Sequence, residues 1–397
     1  MWIDRLASKK LRQLASTFPA VLVTGARQTG KTSLVRRQFP DYSYVSLDLP
    51  LLADQAEQSP ESFLAAHPSP LIIDEVQYAP SLFRHLKVAI DQQRELRGQF
   101  ILTGSQQFAL MREVGDSLAG RCGLLNLPGL CIEEIRSSGW EPSAKSASKL
   151  LRRGGFPELW ANPEIAAGDF FQAYVSTYLE RDLRQLIRVG SLRDFERFVR
   201  ACAARAGNLL NRSDLARDVG ISHSTANEWL SALQAGNQVI LLEPWFASLG
   251  KRLVKSPKLY FADTGLLCFL LGMDDLAIEA SALTGRVWEN LVLSELRTHL
   301  ALEHPDWGLW FYRDQQNREA DFLIQGPFDR VRLADAKWSE TASPSAFAQL
   351  EKIARTLDAS GDIRSVELAL VTRSSHSARL DDNRRAVSAW RIADIAH

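Results

Sequence analysis

Over the first 130 residues, short apolar runs alternate with polar stretches of helical spacing, the pattern of a parallel sheet whose faces are covered by helices. AVLVTG, YSYVSLD, PLIIDE, QFILTGS and GLLNLPG are the expected strands. MWIDRLASKKLRQLASTF, ahead of them, mixes charged and apolar residues at helical spacing and predicts a helix, not an export signal. The small polar run EPSAKSASK at 141–149 predicts a linker and a boundary near 140. From RGGFPELW to about residue 205 the chain is Arg-rich, with apolar positions recurring at three and four in FFQAYVSTYLERDLRQLI, which predicts helices. NLLNRSDLARDVG and ISHSTANEWLSALQ predict two short helices capped by Ser213 and Ser222, separated by Gly220 and followed by a β-type run. The last 120 residues return to mixed character. A helix, GRVWENLVLSELRTHLA, leads to strands LWFYRD, EADFLI and VRLADAKW, a helix SAFAQLEKIARTL and a strand VELALVT.

Composition narrows the classes. A chain of 397 residues exceeds what one hydrophobic core organises, so several domains are expected. Lys plus Arg and Asp plus Glu both number 47, so any nucleic-acid surface must be local. The hydrophobic fraction of 46% and charged fraction of 24% are those of a soluble globular protein. Cys122, Cys131, Cys202 and Cys268 are too scattered for a zinc knuckle and too few for a disulfide framework, which points to a reducing compartment. No run reaches the roughly 18 apolar residues of a membrane span, so no membrane partner and a cytoplasmic location are expected.

GARQTGKTS follows the first strand. Backbone N–H groups and a helix N-terminus can hold a triphosphate, and the chain must curl tightly to present them. Across Gly25, Ala26, Arg27, Gln28, Thr29, Gly30, Lys31, Thr32 and Ser33, the two glycines permit the loop, Lys31 reaches the β and γ phosphates, and Thr32 offers its hydroxyl to Mg²⁺. LIIDE places Asp74 at the carboxyl edge of a buried strand as a second magnesium-binding residue, with Glu75 beside it to polarise water. FILTGS offers Ser105 as a polar sensor at the same edge. In SLAGR, Arg121 is either a finger for a neighbouring subunit's nucleotide or a surface arginine paired locally.

With these motifs in place, residues 20–130 resemble the AAA-type ATPases of prokaryotes, in the branch that carries DEVQ…P, LTGSQ and LAGR. Those stand here as Asp74 to Gln77 with Pro80, Leu102 to Gln106 and Leu118 to Arg121. GGFPE (154–158), YLERDLR (178–184) and KSPKLYFADTGLL (255–267) resemble the domain that follows this ATPase in that family. The resemblance implies an α/β fold: a P-loop sheet in the AAA order, a helical lid, and a homo-oligomer with a hexameric ring favoured. The organisation expected is an ATP-binding domain at 1–140, a lid region at 141–205, a winged-helix module at 206–258 and a restriction-endonuclease-like domain at 259–397.

The unit at 208–245 resembles a winged helix, whose second helix would enter a major groove. That helix offers His223, Ser224, Asn227 and Glu228 but no Lys or Arg, which weakens sequence-specific readout. Residues 181–258 carry 13 Lys plus Arg against 7 Asp plus Glu, four of the basic residues in KRLVKSPK, so phosphate contacts to DNA without sequence preference are expected. A winged helix that packs on protein, with a solvated basic loop, is the alternative.

Residues two apart on a strand share a face, so Glu319 pairs with Asp321, and Asp335 with Lys337. Such carboxylates bind Mg²⁺ through hard oxygens, and Lys337 would steady an activated water, the chemistry of phosphodiester cleavage. The arrangement resembles the restriction-endonuclease-like fold. By that resemblance Asp321, Asp335 and Lys337 are catalytic, Glu289, Asp321 and Asp335 hold the metal, and Gln349 is an outer member. Ala320 stands where the family pattern has Pro, and Glu319 is extra. Asp-x-Lys is also a common solvated strand surface.

The function these features predict is ATP-driven remodelling or processing of DNA, branched or broken, with ATP and Mg²⁺ as ligands. The rivals are a nucleotide-gated switch or scaffold with an inactive tail, a metal-dependent nuclease licensed by the ATPase and, weakest, a small-molecule kinase.

Overall fold

The computed structural model describes residues 2–105, 110, 113–179, 192–246, 256–358 and 363–395. Two compact units result: residues 2–129 with 235–237, and residues 130–234 with 238–397.

In the first unit, β1 (Ala20–Thr24), β2 (Ser43–Ser46), β3 (Leu71–Asp74), β4 (Phe100–Gly104) and β5 (Cys122–Asn126) form a parallel sheet in the order β2-β3-β4-β1-β5. Every residue of β1, β3 and β4 is buried, which is why the sequence shows continuous apolar runs there and no alternation. Leu22, Ile73 and Leu102 from these strands meet Phe63, Phe83 and Leu86 from the covering helices in one core. A parallel five-stranded sheet of this kind is typical of P-loop folds, and its central strands deliver their carboxyl ends to one edge.

The second unit begins with short helices, Ala147–Arg153, Pro157–Ala161 and Ala167–Tyr174. Most of YLERDLR lies outside the described residues. Helix Leu192–Ala203 is followed by Arg212–Val219 and His223–Ala235, then by an antiparallel hairpin of β6 (Val239–Leu242) and β7 (Lys258–Phe261). Leu209 adds a bridge to Lys258. Phe195 and Phe198 meet the Trp229 ring at 5.2 and 5.4 Å, joining two of these helices. Gly220 ends the first of the paired helices at φ +82°, a left-handed position that suits glycine. The cap of that helix is Asn211 and not Ser213: its side-chain oxygen accepts from the N–H groups of Ser213 and Asp214 at 3.1 and 3.2 Å. Asparagine caps at least as well as serine, and Ser213 falls inside the first turn. Ser222 accepts from Thr225 N–H at 3.0 Å, as expected of a cap.

The C-terminal part of this unit is a six-stranded sheet of β8 (Gly308–Arg313), β9 (Glu319–Gln325), β10 (Arg330–Ala336), β11 (Ser365–Thr372), β12 (Ala378–Arg379) and β13 (Arg384–Ser388), in the order β12-β13-β11-β10-β9-β8. β8, β9 and β10 are antiparallel neighbours, whereas β10, β11 and β13 run parallel. Helix Ala348–Asp358 buries Leu350 and Ile353 against Leu323, Leu333 and Leu368. Helix Thr284–Glu303 is pinned to β7 by the fully buried Asn290, which accepts Phe261 N–H at 2.8 Å and donates to Phe261 O at 2.7 Å. No helix among the described residues is long and apolar enough to cross a membrane.

Glu295 on the same helix accepts Ile132 N–H at 3.0 and 3.2 Å, capping helix Ile132–Arg136. Burial pushes its carboxyl up to about 8. The folded state therefore keeps a proton that the unfolded chain gives up, so this stabilisation is complete below the ordinary carboxylate range and is lost as pH rises towards about 8. Glu295→Gln keeps the acceptor and removes the titration. Thermal melts from about pH 5 to about pH 9 are expected to fall less steeply for the variant, which should melt above the parent at the alkaline end. Parallel curves would contradict a buried protonated Glu295.

Candidate functional site

β1 ends at Thr24, and residues 25–30 turn back before helix Lys31–Gln38. A Cβ at Gly25 would lie 2.2 Å from Leu127 O, so only glycine fits. Gln28 at φ +60° and Gly30 at φ +88° complete the curl, and Gly30 is the residue from which the helix starts. Gln28 and Ser33 are exposed, Ala26 and Arg27 are half-buried, and Thr29 is buried with its hydroxyl donating to Ala26 O at 2.9 Å. Arg27 Nη2 donates to Tyr78 OH at 3.4 Å. Lys31 is 6% exposed, and its Nζ donates to Gly25 O and Ala26 O at 3.1 and 2.9 Å, which lays the ammonium across the mouth of the loop. A triphosphate offers that ammonium stronger acceptors than neutral carbonyls.

Arg5 supports the loop and no sequence motif marked it. It is buried, with Nη1 donating to Thr29 O at 2.7 Å and Nη2 to Pro128 O and Gly129 O at 2.7 and 3.2 Å. One guanidinium thus ties the loop to the chain leaving β5. Its planar fork suits several fixed carbonyls in a way a lysine cannot reproduce.

Asp74, 5% exposed at the end of β3, gathers three hydroxyls from three elements. Thr32 Oγ1 lies 2.9 and 3.0 Å from its two oxygens, Tyr44 OH donates at 2.9 Å, and Thr103 Oγ1 bonds it from β4. Burial, then the neighbouring Asp74, pushes the Tyr44 hydroxyl up to about 12, so it stays a donor. A hydroxyl and a carboxylate in contact at a phosphate loop are the hard oxygen set that Mg²⁺ takes, and the residues fit that ion.

Glu75 adopts the left-handed conformation, φ +55° and ψ +46°, costly for a side chain of this type and a common feature of functional turns. Its N–H reaches Thr103 Oγ1 at 3.4 Å, and its carboxylate accepts from Gln77 Nε2 and stands 3.5 Å from Ser105 Oγ. Gln77 Nε2 is also 3.4 Å from the Ser105 hydroxyl. Gln77 therefore orients Glu75 and joins it to Ser105, a role that DEVQ displayed without disclosing. Ser105 is 1% exposed, and Gln106 lies outside the described residues. Arg121 forms a two-pronged pair with Asp91 of its own chain, Nε to Oδ1 at 2.7 Å and Nη2 to Oδ2 at 2.9 Å. This is the local pairing the sequence left open.

A second polar cluster lies in the C-terminal part. β9 and β10 bring Asp321 and Asp335 together: Asp335 Oδ1 accepts Asp321 N–H at 3.1 Å, and Asp321 Oδ2 accepts Ala336 N–H at 2.9 Å. Lys337 Nζ reaches Asp335 Oδ2 at 3.0 Å, and helix Thr284–Glu303 contributes Glu289. Gln349 remains peripheral, exposed and bonded to Glu319 O. The residue the sequence misplaced is Lys258. Counted there among DNA-facing basic residues, it is 2% exposed, with its Nζ 2.6 Å from Glu319, 3.0 Å from Glu289 and 3.8 Å from Asp321. Tyr260 OH also donates to Glu289. Burial, then Glu289 and Asp335, holds the Asp321 carboxyl well above the usual range. Burial alone would lower Lys258, but Glu289, Asp321 and Glu319 hold its ammonium above the ordinary lysine value. With an ammonium seated among the carboxylates, this set does not fit Mg²⁺.

Local pairing also thins the basic surface. Arg197, Arg200, Arg205 and Arg217 face Asp194, Glu196, Asp218 and Asp214. Arg181, Arg184, Arg188, Lys251, Arg252 and Lys255 lie outside the described residues. Cys131, Glu295 and His299 also meet at one buried point, where Glu295 is committed to the Ile132 N–H.

A family model described as an AAA domain matches residues 17–136, and two described as domains of unknown function, DUF8612 and DUF4143, match residues 144–277 and 284–392. The uncharacterized protein Rv2008c of Mycobacterium tuberculosis is 34% identical over 404 residues, spanning 99% of this chain and 85% of that protein. Mb2031c of Mycobacterium bovis gives the same figures. Among solved structures, the Walker-type ATPase paby2304 of Pyrococcus abyssi aligns with a TM-score of 0.47 at 18% identity, covering 68% of this chain and 96% of that one.

Removing the Arg5 strut should loosen the loop without touching phosphate directly. Arg5→Ala is expected to weaken ATP binding about tenfold, roughly 1.4 kcal/mol, in a fluorescence titration with a labelled ATP analogue. An unchanged affinity would show that the loop holds its shape without the guanidinium.

Proposed function

The chain belongs to one family with the mycobacterial proteins Rv2008c and Mb2031c and carries a P-loop ATPase domain of AAA type, and on that footing we propose that it couples ATP hydrolysis to remodelling or processing of DNA. The observation that carries the hydrolytic half is the continuous network Thr32–Asp74–Thr103–Glu75–Gln77–Ser105 at one sheet edge. In this reading the backbone N–H groups of residues 25–33 and Lys31 bind the phosphates, Thr32 and Asp74 hold the metal, Glu75 takes the proton of the attacking water, and Ser105 senses the γ phosphate. Magnesium bound there would neutralise phosphate charge. Arg121 acts on a neighbouring subunit of a homo-oligomeric ring, hexameric by preference, once its pair with Asp91 opens.

The DNA half rests on the order of elements from Leu192 to Phe261, a helix, two short helices around a glycine turn, and a hairpin, which supports the winged-helix reading. Contact through phosphates suits a recognition helix without basic residues. The local pairing of Arg197, Arg200, Arg205 and Arg217 favours a second reading, a nucleotide-gated switch that controls assembly with a protein partner.

Steady-state ATP hydrolysis at low salt, with single-stranded, duplex and four-way DNA, separates the two. Glu75→Gln is expected to lower turnover by about a hundredfold while nucleotide binding persists. Under the first reading, DNA stimulates the parent enzyme to an extent that differs with DNA shape and weakens as salt rises. A slow rate that no DNA alters would overturn the DNA half and leave the switch.

A further inference from the structure

The carboxylates on β9, β10 and helix Thr284–Glu303 have the makings of a divalent-cation site, yet the cation they surround belongs to the protein. Lys258 reaches them from the neighbouring hairpin. Its Nζ stands within 3.0 Å of both Glu319 and Glu289, and the Phe311 ring centroid lies 5.6 Å from it. The ammonium is therefore held among acceptors and an aromatic ring, on a side chain that is 3% exposed.

We propose that Lys258 is a resident cation that closes this cluster to divalent metals, making the C-terminal fold an ion-pair lock between the β6–β7 hairpin and the sheet instead of a metal-dependent nuclease centre. Charge and geometry both support it. Against the carboxyl groups of Glu289, Glu319, Asp321 and Asp335 stand the cations of Lys258, Lys337 and Arg313, so at most one formal negative charge remains to attract an ion, and less where the raised Asp321 carboxyl keeps its proton. The inner oxygens are also engaged. Asp321 Oδ2 holds Ala336 N–H, Asp335 Oδ1 holds Asp321 N–H, and Glu289 Oε1 serves both Lys258 and Tyr260. Mg²⁺ or Mn²⁺ needs several free oxygens in near-octahedral array, and here it would have to displace a buried ammonium whose burial then goes uncompensated.

Closure of the cluster does not depend on whether the chain acts on DNA, and metal binding tests it directly. Mn²⁺ is titrated into the full chain, with free Mn²⁺ followed by electron paramagnetic resonance, for the parent, Asp335→Asn, Lys258→Met and the double variant. Parent and Asp335→Asn should give superimposable isotherms, whereas Lys258→Met should gain one equivalent that adding Asp335→Asn removes. An extra equivalent in the parent that disappears in Asp335→Asn overturns the proposal. So does a folded Lys258→Met that gains none. If Lys258→Met does not fold, Lys258→Gln, which keeps a donor but not the charge, is read by the same criteria.

Discussion

A carboxylate that stays ionised when buried needs hydrogen-bond donors, and at Asp74 the donors come from three different elements. Thr32 opens the helix after the phosphate loop, Tyr44 sits on the neighbouring β2, and Thr103 lies on the central β4. Each hydroxyl is placed by its own strand or helix, so the carboxylate fixes the loop's helix relative to the sheet edge. Thr103 then extends the order to Glu75, whose left-handed backbone it helps hold. On the proposed reading, a metal would find the Thr32 hydroxyl and the Asp74 carboxylate already in contact.

The second unit uses the same device in another place. Asn290 satisfies both backbone groups of Phe261, Glu295 caps a five-residue helix, and Lys258 joins two carboxylates brought by different elements. The first two interactions are buried and the third has a buried ammonium, so removing one partner leaves a costly unsatisfied group. They make helix Thr284–Glu303 the member around which the hairpin and the C-terminal sheet are arranged.

The P-loop sheet was legible because β1, β3 and β4 are buried on both faces, which makes their apolar runs uninterrupted, and because GARQTGKT and the acidic end of LIIDE mark where two of those strands stop. Arg5 was not legible: a single arginine before an amphipathic helix has no spacing partner, and its three carbonyls are contributed by backbone far along the chain. Lys258 was misread for the opposite reason. It stands at the end of KRLVKSPK, where composition suggests a solvated basic run, and only the pairing of β6 with β7 turns that one lysine inward. β12 and β13 escaped notice because an edge strand of two residues and an arginine-led strand carry little apolar signal. Gln77 was visible in DEVQ, yet its contact with Glu75 depends on the left-handed turn that no pattern of residue types reveals.

On the proposed reading, Asp74 and Thr32 seat the metal that accompanies ATP. Titration calorimetry of ATP with and without Mg²⁺, on the parent and on Thr32→Val, tests it most directly. Mg²⁺ is expected to strengthen binding to the parent by about tenfold or more, and this gain should largely vanish in Thr32→Val. Equal affinities for the parent with and without Mg²⁺, or a full magnesium effect in Thr32→Val, would contradict it.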